Sequence, residues 1–217
     1  MARVPALLLA AVLCCALASG AVAGRRKQLQ HLTIFSDSVG AAISWDSTAK
    51  KIVQDGNRVL FELHPCGRLV QPGCFSPPAA SVLKDVRTLG RRIGPTVIVF
   101  VGYNDDPATY RNGIPLVLRA MRRRGVRHVL WLTLRANSRQ YVDINHAIYA
   151  ADQKSRPLMT VLDWNHYSAP HRSWYASDKI HLSGRGAVQL AVYLHRSLMQ
   201  LGLAGPPTNQ NGPTSSG

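Results

Sequence analysis

Carboxylates are scarce in this sequence. Across 217 residues, 11 Asp and Glu stand against 26 Lys and Arg, giving a formal charge of +15 and an isoelectric point of about 10.4. Cysteine is scarce too. Of the four, Cys14 and Cys15 sit in an apolar N-terminal run, which leaves Cys66 and Cys74 with no neighbouring His or Cys to complete a zinc set. Internal repeats are absent, so a solenoid is excluded, and no second apolar run is long enough for the about 20 residues of a membrane span. The length fits one globular domain with a full core.

The apolar run at the N-terminus reads as a signal peptide over residues 1–23. Arg3 supplies the positive region, Ala6 to Leu17 the apolar core, and Ala21-Val22-Ala23 a small-residue cleavage site before Gly24. An uncleaved anchor is the rival reading, and the run is short for a span. Cleavage places the mature chain in an oxidising compartment, secreted or in the cell envelope, with no integral span. There Cys66 and Cys74, eight positions apart, are expected to form a short disulfide rather than stay as free thiols. Arginine carries most of the positive charge, in Arg25-Arg26-Lys27, Arg91-Arg92 and Arg122-Arg123-Arg124. A secreted chain rarely meets nucleic acid, so an anionic cell-envelope polymer or lipid head group is the expected partner of such a surface. Solvated helix ends account for each cluster taken singly.

Period and breakers divide the rest. Leu32 to Phe35, Arg58 to Leu63, Thr96 to Val101, Val126 to Leu134 and Leu158 to Trp164 are short apolar runs rich in branched residues. They read as parallel strands buried on both faces. Helical stretches fall between them, around Ser44 to Asp55, Ala79 to Arg92, Tyr110 to Arg124 and Ser138 to Ser155. A last one, Ala187 to Leu201, puts Leu190, Ala191, Leu194, Leu198 and Leu201 on one face. Strand and helix alternate throughout, which predicts a three-layer α/β/α sandwich with about five parallel strands over residues 24–204. Residues 205–217, rich in Pro, Asn, Gly, Thr and Ser, are expected to be a disordered tail.

In open α/β sheets the ligand crevice lies outside the carboxyl ends of the strands. Ser38 falls just past the first strand, Gly67 past the second and Asn104 past the third, while His181 enters from the loop before the last helix. Asp178, three residues ahead of His181, can accept a hydrogen bond from one ring nitrogen and leave the other as a base. Asp163 and His166 repeat that spacing at the end of the fifth strand, so spacing alone leaves two candidate bases. Context favours His181, because it leads directly into the final amphipathic helix. His171 has no carboxylate near it in the sequence and reads as a solvent-facing loop histidine.

These residues resemble the blocks of a known family, the SGNH hydrolases or Gly-Asp-Ser-Leu esterases and lipases. Asp37-Ser38-Val39 is similar to the nucleophile block, Gly102-Tyr103-Asn104-Asp105 to the Gly-x-Asn-Asp block, and Asp178-Lys179-Ile180-His181-Leu182 to the Asp-x-x-His block. The resemblance spans roughly Leu32 to Leu201, with the blocks in family order, and implies a flavodoxin-like SGNH hydrolase fold in a secreted bacterial member. It makes Ser38 the nucleophile, His181 the base and Asp178 the residue that orients the base. The backbone N–H groups of Ser38 and Gly67 and the side-chain amide of Asn104 would form the oxyanion hole. No metal or cofactor is implied. The substrate would be a carboxylic O-acyl ester, a small molecule or an acylated glycan or lipid of the cell envelope, handled by a monomer. Acyl transfer on the same site, or a binding protein for anionic polymers that has lost the reaction, are the alternatives. Ser36 stands where the family has its name-giving glycine, and Asp37 reads as a structural cap for the turn.

Overall fold

The computed structural model describes residues 29–205. The expected signal peptide, with Cys14 and Cys15, and the tail beyond Gly205 lie outside the described residues. Gly205 itself is buried and donates its N–H to Gly56 O at 3.1 Å.

Five strands form one parallel sheet: β1 (Gln30–Ser36), β2 (Asn57–Leu63), β3 (Thr96–Phe100), β4 (His128–Leu132) and β5 (Met159–Leu162), in the order β2-β1-β3-β4-β5. The uniformly apolar runs are the central strands, as expected of strands covered on both faces. Every residue of β3 is buried. The order is the flavodoxin-like one, with its switch point between β1 and β3, where successive crossovers leave in opposite directions. Crossovers keep one hand. The helices connecting leftward from β1 therefore cover one face and those connecting rightward cover the other.

On the first face lie α1 (Ser38–Trp45), α2 (Ser47–Gln54) and α7 (Gly184–Gln200), packed on one another. On the second lie α3 (Val82–Leu89), α4 (Pro107–Arg123) and α5 (Arg139–Ser155). A short α6 (Trp164–Ser168) follows β5. The single helix expected over Ser44 to Asp55 is two. Asp46 breaks it and caps the second, accepting from Thr48 N and Ala49 N at 2.9 Å each. In α7 the stripe Leu190, Ala191, Leu194 and Leu198 is buried as expected, while Leu201 lies past the helix end and is exposed. The core is continuous across the sheet, with Phe35, Val97, Ile98 and Trp131 at its centre. Among the described residues no helix is long and apolar enough to cross a membrane.

Candidate active site

β1 ends in Ser36, and the chain turns at Asp37 into α1, whose first residue is Ser38. Ser36 occupies the position where a glycine is usual, and its hydroxyl donates to Phe100 O at 2.8 Å, linking the ends of β1 and β3. Room for that hydroxyl comes from Gly40, where a Cβ would collide with Ser36 Oγ and lie 2.9 Å from the Phe100 ring. Asp37 is wholly buried and caps α1 by accepting Val39 N–H at 3.0 Å. Its other oxygen accepts Gly102 N–H at 3.3 Å and Tyr103 N–H at 3.2 Å. One carboxylate thus joins the Ser38 turn to the Asn104 loop. Burial pushes its pKa up to about 6, against the pull of those three amides.

Asp105 has a parallel role. It is buried, and both its oxygens face Leu69 N–H, at 3.1 and 3.2 Å. Burial pushes its pKa up to about 7. Its own carbonyl accepts from Gln140 Nε2 at 2.8 Å. The segment after β2 is thereby fastened to the segment after β3. The sequence motif contains Asp105, but its role depends on a fold-level neighbour, Leu69, that no spacing reveals.

Asn104, between these two fasteners, donates one Nδ2 hydrogen to Gly67 O at 3.3 Å; its amide carries a second. Gly67 needs correction. Its backbone N–H, expected to face an oxyanion, donates to His64 O at 2.7 Å and is occupied within its own turn. The absence of a side chain still matters there, since a Cβ would come within 2.7 Å of His64 O. Cys66, just before it, has a φ of 60° and is disulfide-bonded to Cys74, as expected.

Asp178 and His181 occupy a tight excursion. Tyr175 and Leu182 form an antiparallel bridge, and within it Ala176 N–H donates to His181 O at 2.8 Å. Lys179 takes a φ of 62° so that the chain can reverse. Asp178 Oδ1 accepts the amides of Ile180 and His181 at 2.9 and 3.0 Å, which aims Oδ2 at His181 Nδ1, 2.6 Å away. The His181 bond, then the Ile180 amide, holds the Asp178 carboxyl below the usual carboxylate range. Because an ionised carboxylate only accepts, Nδ1 carries a ring proton, and in the neutral imidazole this leaves the lone pair on Nε2. Ser38 Oγ lies 2.9 Å from that Nε2.

The rival dyad does not form. Asp163 Oδ1 accepts His166 N–H at 3.1 Å and the Thr133 hydroxyl at 2.9 Å, so it caps α6. His171 is exposed, as expected of a loop histidine, yet stacks on Trp174 with centroids 3.8 Å apart. Below the excursion, Trp174 also stacks on Trp164, and Arg135 lies over the Tyr175 ring at 3.9 Å. Asn137 Nδ2 reaches Lys179 O at 3.2 Å. These supports were missed from sequence; a cluster of aromatic residues just ahead of the Asp-x-x-His block was the available signal.

No family model and no curated protein matches the sequence. Solved structures do match the fold. The C-terminal catalytic domain of peptidoglycan O-acetyltransferase A from Streptococcus pneumoniae superposes with a TM-score of 0.59 at 15% identity, covering 82% of this chain and 98% of that one. A family 3 carbohydrate esterase from Clostridium thermocellum gives 0.57 at 13% identity, covering 82% and 100%. A Slackia heliotrinireducens protein proposed to be an SGNH hydrolase gives 0.55 at 14% identity, covering 79% and 100%. The fold is that of the SGNH hydrolases. In this SGNH fold Ser38, His181 and Asp178 meet in one hydrogen-bonded line, and Asn104 stands on the adjoining loop. Two of the three are open to solvent, with 48% of the His181 side chain and 47% of that of Asp178 exposed.

Proposed function

We propose that this chain is a serine esterase of the SGNH type, acting on carboxylic O-acyl esters with Ser38 as nucleophile, His181 as general base and Asp178 as the residue that orients the base. The observation that carries this reading is the relay Ser38 Oγ, His181 Nε2, His181 Nδ1, Asp178 Oδ2, with links of 2.9 and 2.6 Å. A serine hydroxyl is too weak an acid to attack an ester at neutral pH unaided. His181 Nε2 takes its proton as the Oγ–carbon bond forms, and Asp178 stabilises the imidazolium that results.

The tetrahedral oxyanion would be met by two donors. Ser38 N–H is the first amide of α1, which has no intrahelical acceptor, and the helix end adds partial positive charge. The second is the free hydrogen of the Asn104 amide. His181 then returns the proton to the leaving alcohol, and water, activated by the same nitrogen, releases the acid. No step calls for a metal or cofactor.

The base and the carboxylate that orients it, His181 and Asp178, stand half in water, so a bulky alcohol can approach without a channel. That favours an ester displayed on a glycan or lipid of the cell envelope. It also admits a second alcohol in place of water, which makes acyl transfer the second reading; one structural neighbour is named as an O-acetyltransferase. Secretion is supported by the N-terminal segment and by the Cys66–Cys74 disulfide. A monomer is the simplest state consistent with this self-contained site. We also infer an anionic polymer as a partner of the arginine-rich face formed by α3 and α4.

Treatment with a fluorophosphonate followed by mass spectrometry tests the nucleophile without the true substrate. Ser38 should carry the adduct, and Ser38→Ala should lose both labelling and p-nitrophenyl acetate turnover. Equal background rates for the two proteins would leave a binding protein as the reading. Adding a glycan acceptor to the assay and looking for its acylated product separates transfer from hydrolysis.

A further inference from the structure

Away from the catalytic relay, the end of β2 gathers a second set of chemically apt side chains. Glu62 and His64 alternate out of the strand end on one side, and Asp85 comes from the first half of α3 to meet them. His64 Nε2 lies 2.9 Å from Asp85 Oδ2 and 3.9 Å from Glu62 Oε2, and one ligand atom from each residue falls within 4.8 Å of the others. We propose that Glu62, His64 and Asp85 form a binding site for a divalent transition-metal ion, of which zinc is the type, and that the ion clasps α3 to the end of β2.

The chemistry of the donors supports this class of ion. One imidazole with two carboxylates is a mixed set that suits zinc, manganese or cobalt better than magnesium or calcium, which take oxygen alone. Ligands at about 2.0 to 2.2 Å from a tetrahedral zinc stand roughly 3.3 to 3.6 Å from one another. The observed separations of 2.9 and 3.9 Å bracket that value, so small rotations of Glu62 and His64 complete the set and leave a fourth position for water. The side chains are sheltered but reachable, with 32, 21 and 12% exposure for His64, Glu62 and Asp85. Two carboxylates face one imidazole across this space.

The site is also connected. His64 N–H donates to Ser36 O at 2.9 Å, and His64 O accepts Gly67 N–H at 2.7 Å. A bound ion would therefore fix the residue from which the disulfide loop 66–74 departs. The metal site does not depend on Ser38 being a nucleophile, and its test is separate from the esterase assay.

Tag-free protein, stripped with chelator and dialysed, is titrated with zinc chloride by calorimetry and by thermal denaturation. The expected result is one ion per chain, a Tm that rises to saturation, and no comparable shift with magnesium or calcium. His64→Gln and Glu62→Gln should each weaken binding at least tenfold, while His181→Ala should bind like the parent. If His64→Gln does not fold, cobalt added to the parent gives the same answer: a visible d–d band that zinc displaces and Glu62→Gln lacks. Hydrogen exchange should slow across residues 64–74 on zinc addition. Absence of stoichiometric binding, binding indifferent to Glu62→Gln and His64→Gln, or binding lost in His181→Ala would each overturn the proposal. The last would place the ion on the Ser38 relay.

Discussion

Asp105 holds its carboxylate out of water to receive a single amide, that of Leu69. Its pKa, pushed up from 3.8 to about 7 by burial, makes that arrangement sensitive to pH. Between those two values the unfolded chain is ionised while the folded chain keeps its proton. The folded state therefore binds more protons, and this group's contribution to stability is full at or below about pH 4 and is lost as pH rises toward 7. Asp37, raised to about 6, acts with the same sign over a narrower window. Asp105→Asn retains an acceptor for Leu69 N–H and removes the ionisation. Denaturant unfolding of parent and variant at pH 4.5 and 7.5 should show the variant gaining on the parent at the higher pH, by on the order of a few kcal/mol. Parallel stability curves would mean that Asp105 titrates alike in both states and that burial does not set its proton affinity.

The start of α7 decides where the Asp178–His181 excursion sits. Ser183 caps the helix by accepting Gly186 N–H at 3.2 Å, and its own amide donates to Trp174 O at 3.0 Å. Gly186 lies so close to that carbonyl that an added Cβ would overlap it, whereas at Gly184 the nearest atom to a Cβ is Asp46 Oδ2 at 3.7 Å, an ordinary contact. Gly186→Ala should thus cost about 1 to 3 kcal/mol and reduce turnover by shifting His181, while Gly184→Ala should match the parent in both Tm and turnover. Equal behaviour of the two variants would show that α7 can retreat from Trp174 without disturbing the relay.

The same scale explains what could be read from the chain in advance. β3 and β4 were legible because strands covered on both faces leave uninterrupted apolar runs, and α7 because its buried stripe repeats at helical spacing. The eight residues of α1 were not. Val39, Gly40, Ala41, Ala42 and Ile43 are all buried, so the helix lacks the polar face that marks an amphipathic one and its period disappears. Ser38, Asn104, Asp178 and His181 could be placed from strand ends and block spacing, since parallel topology brings those ends to one edge. The Gly67 amide could not. Whether a backbone N–H faces a substrate or a neighbouring carbonyl depends on the turn made by His64 to Gly67, and sequence carries little of that.

At the scale of the whole molecule the charge is unevenly placed. Each strand's carboxyl end faces the edge that carries Ser38 and His181, so the C-terminal turns of α3 and α4 return to the opposite edge of the sheet. There Arg87, Arg119, Arg123 and Arg124 line one hollow of about 480 Å³, accompanied only by Leu116 and Ala120. Cations at helix C-termini offset the negative end of the macrodipole, which accounts for Arg122 and Arg123 in the last turn of α4. It does not account for Arg119, a turn earlier, or for four guanidinium groups sharing one concavity without a carboxylate in its lining. Such a surface should hold a phosphate-bearing polymer, and do so independently of Ser38. Retention of Ser38→Ala protein on immobilised polyphosphate should fall steeply with salt, since exposed charges are screened beyond about 10 Å at 0.1 M. The double substitution Arg119→Gln with Arg123→Gln should lower the eluting salt concentration while leaving ester turnover and Tm near the parent values, because exposed positions away from caps and core usually change stability by no more than about 0.5 kcal/mol. Unchanged elution would assign the retention to arginines elsewhere and leave this hollow without a partner.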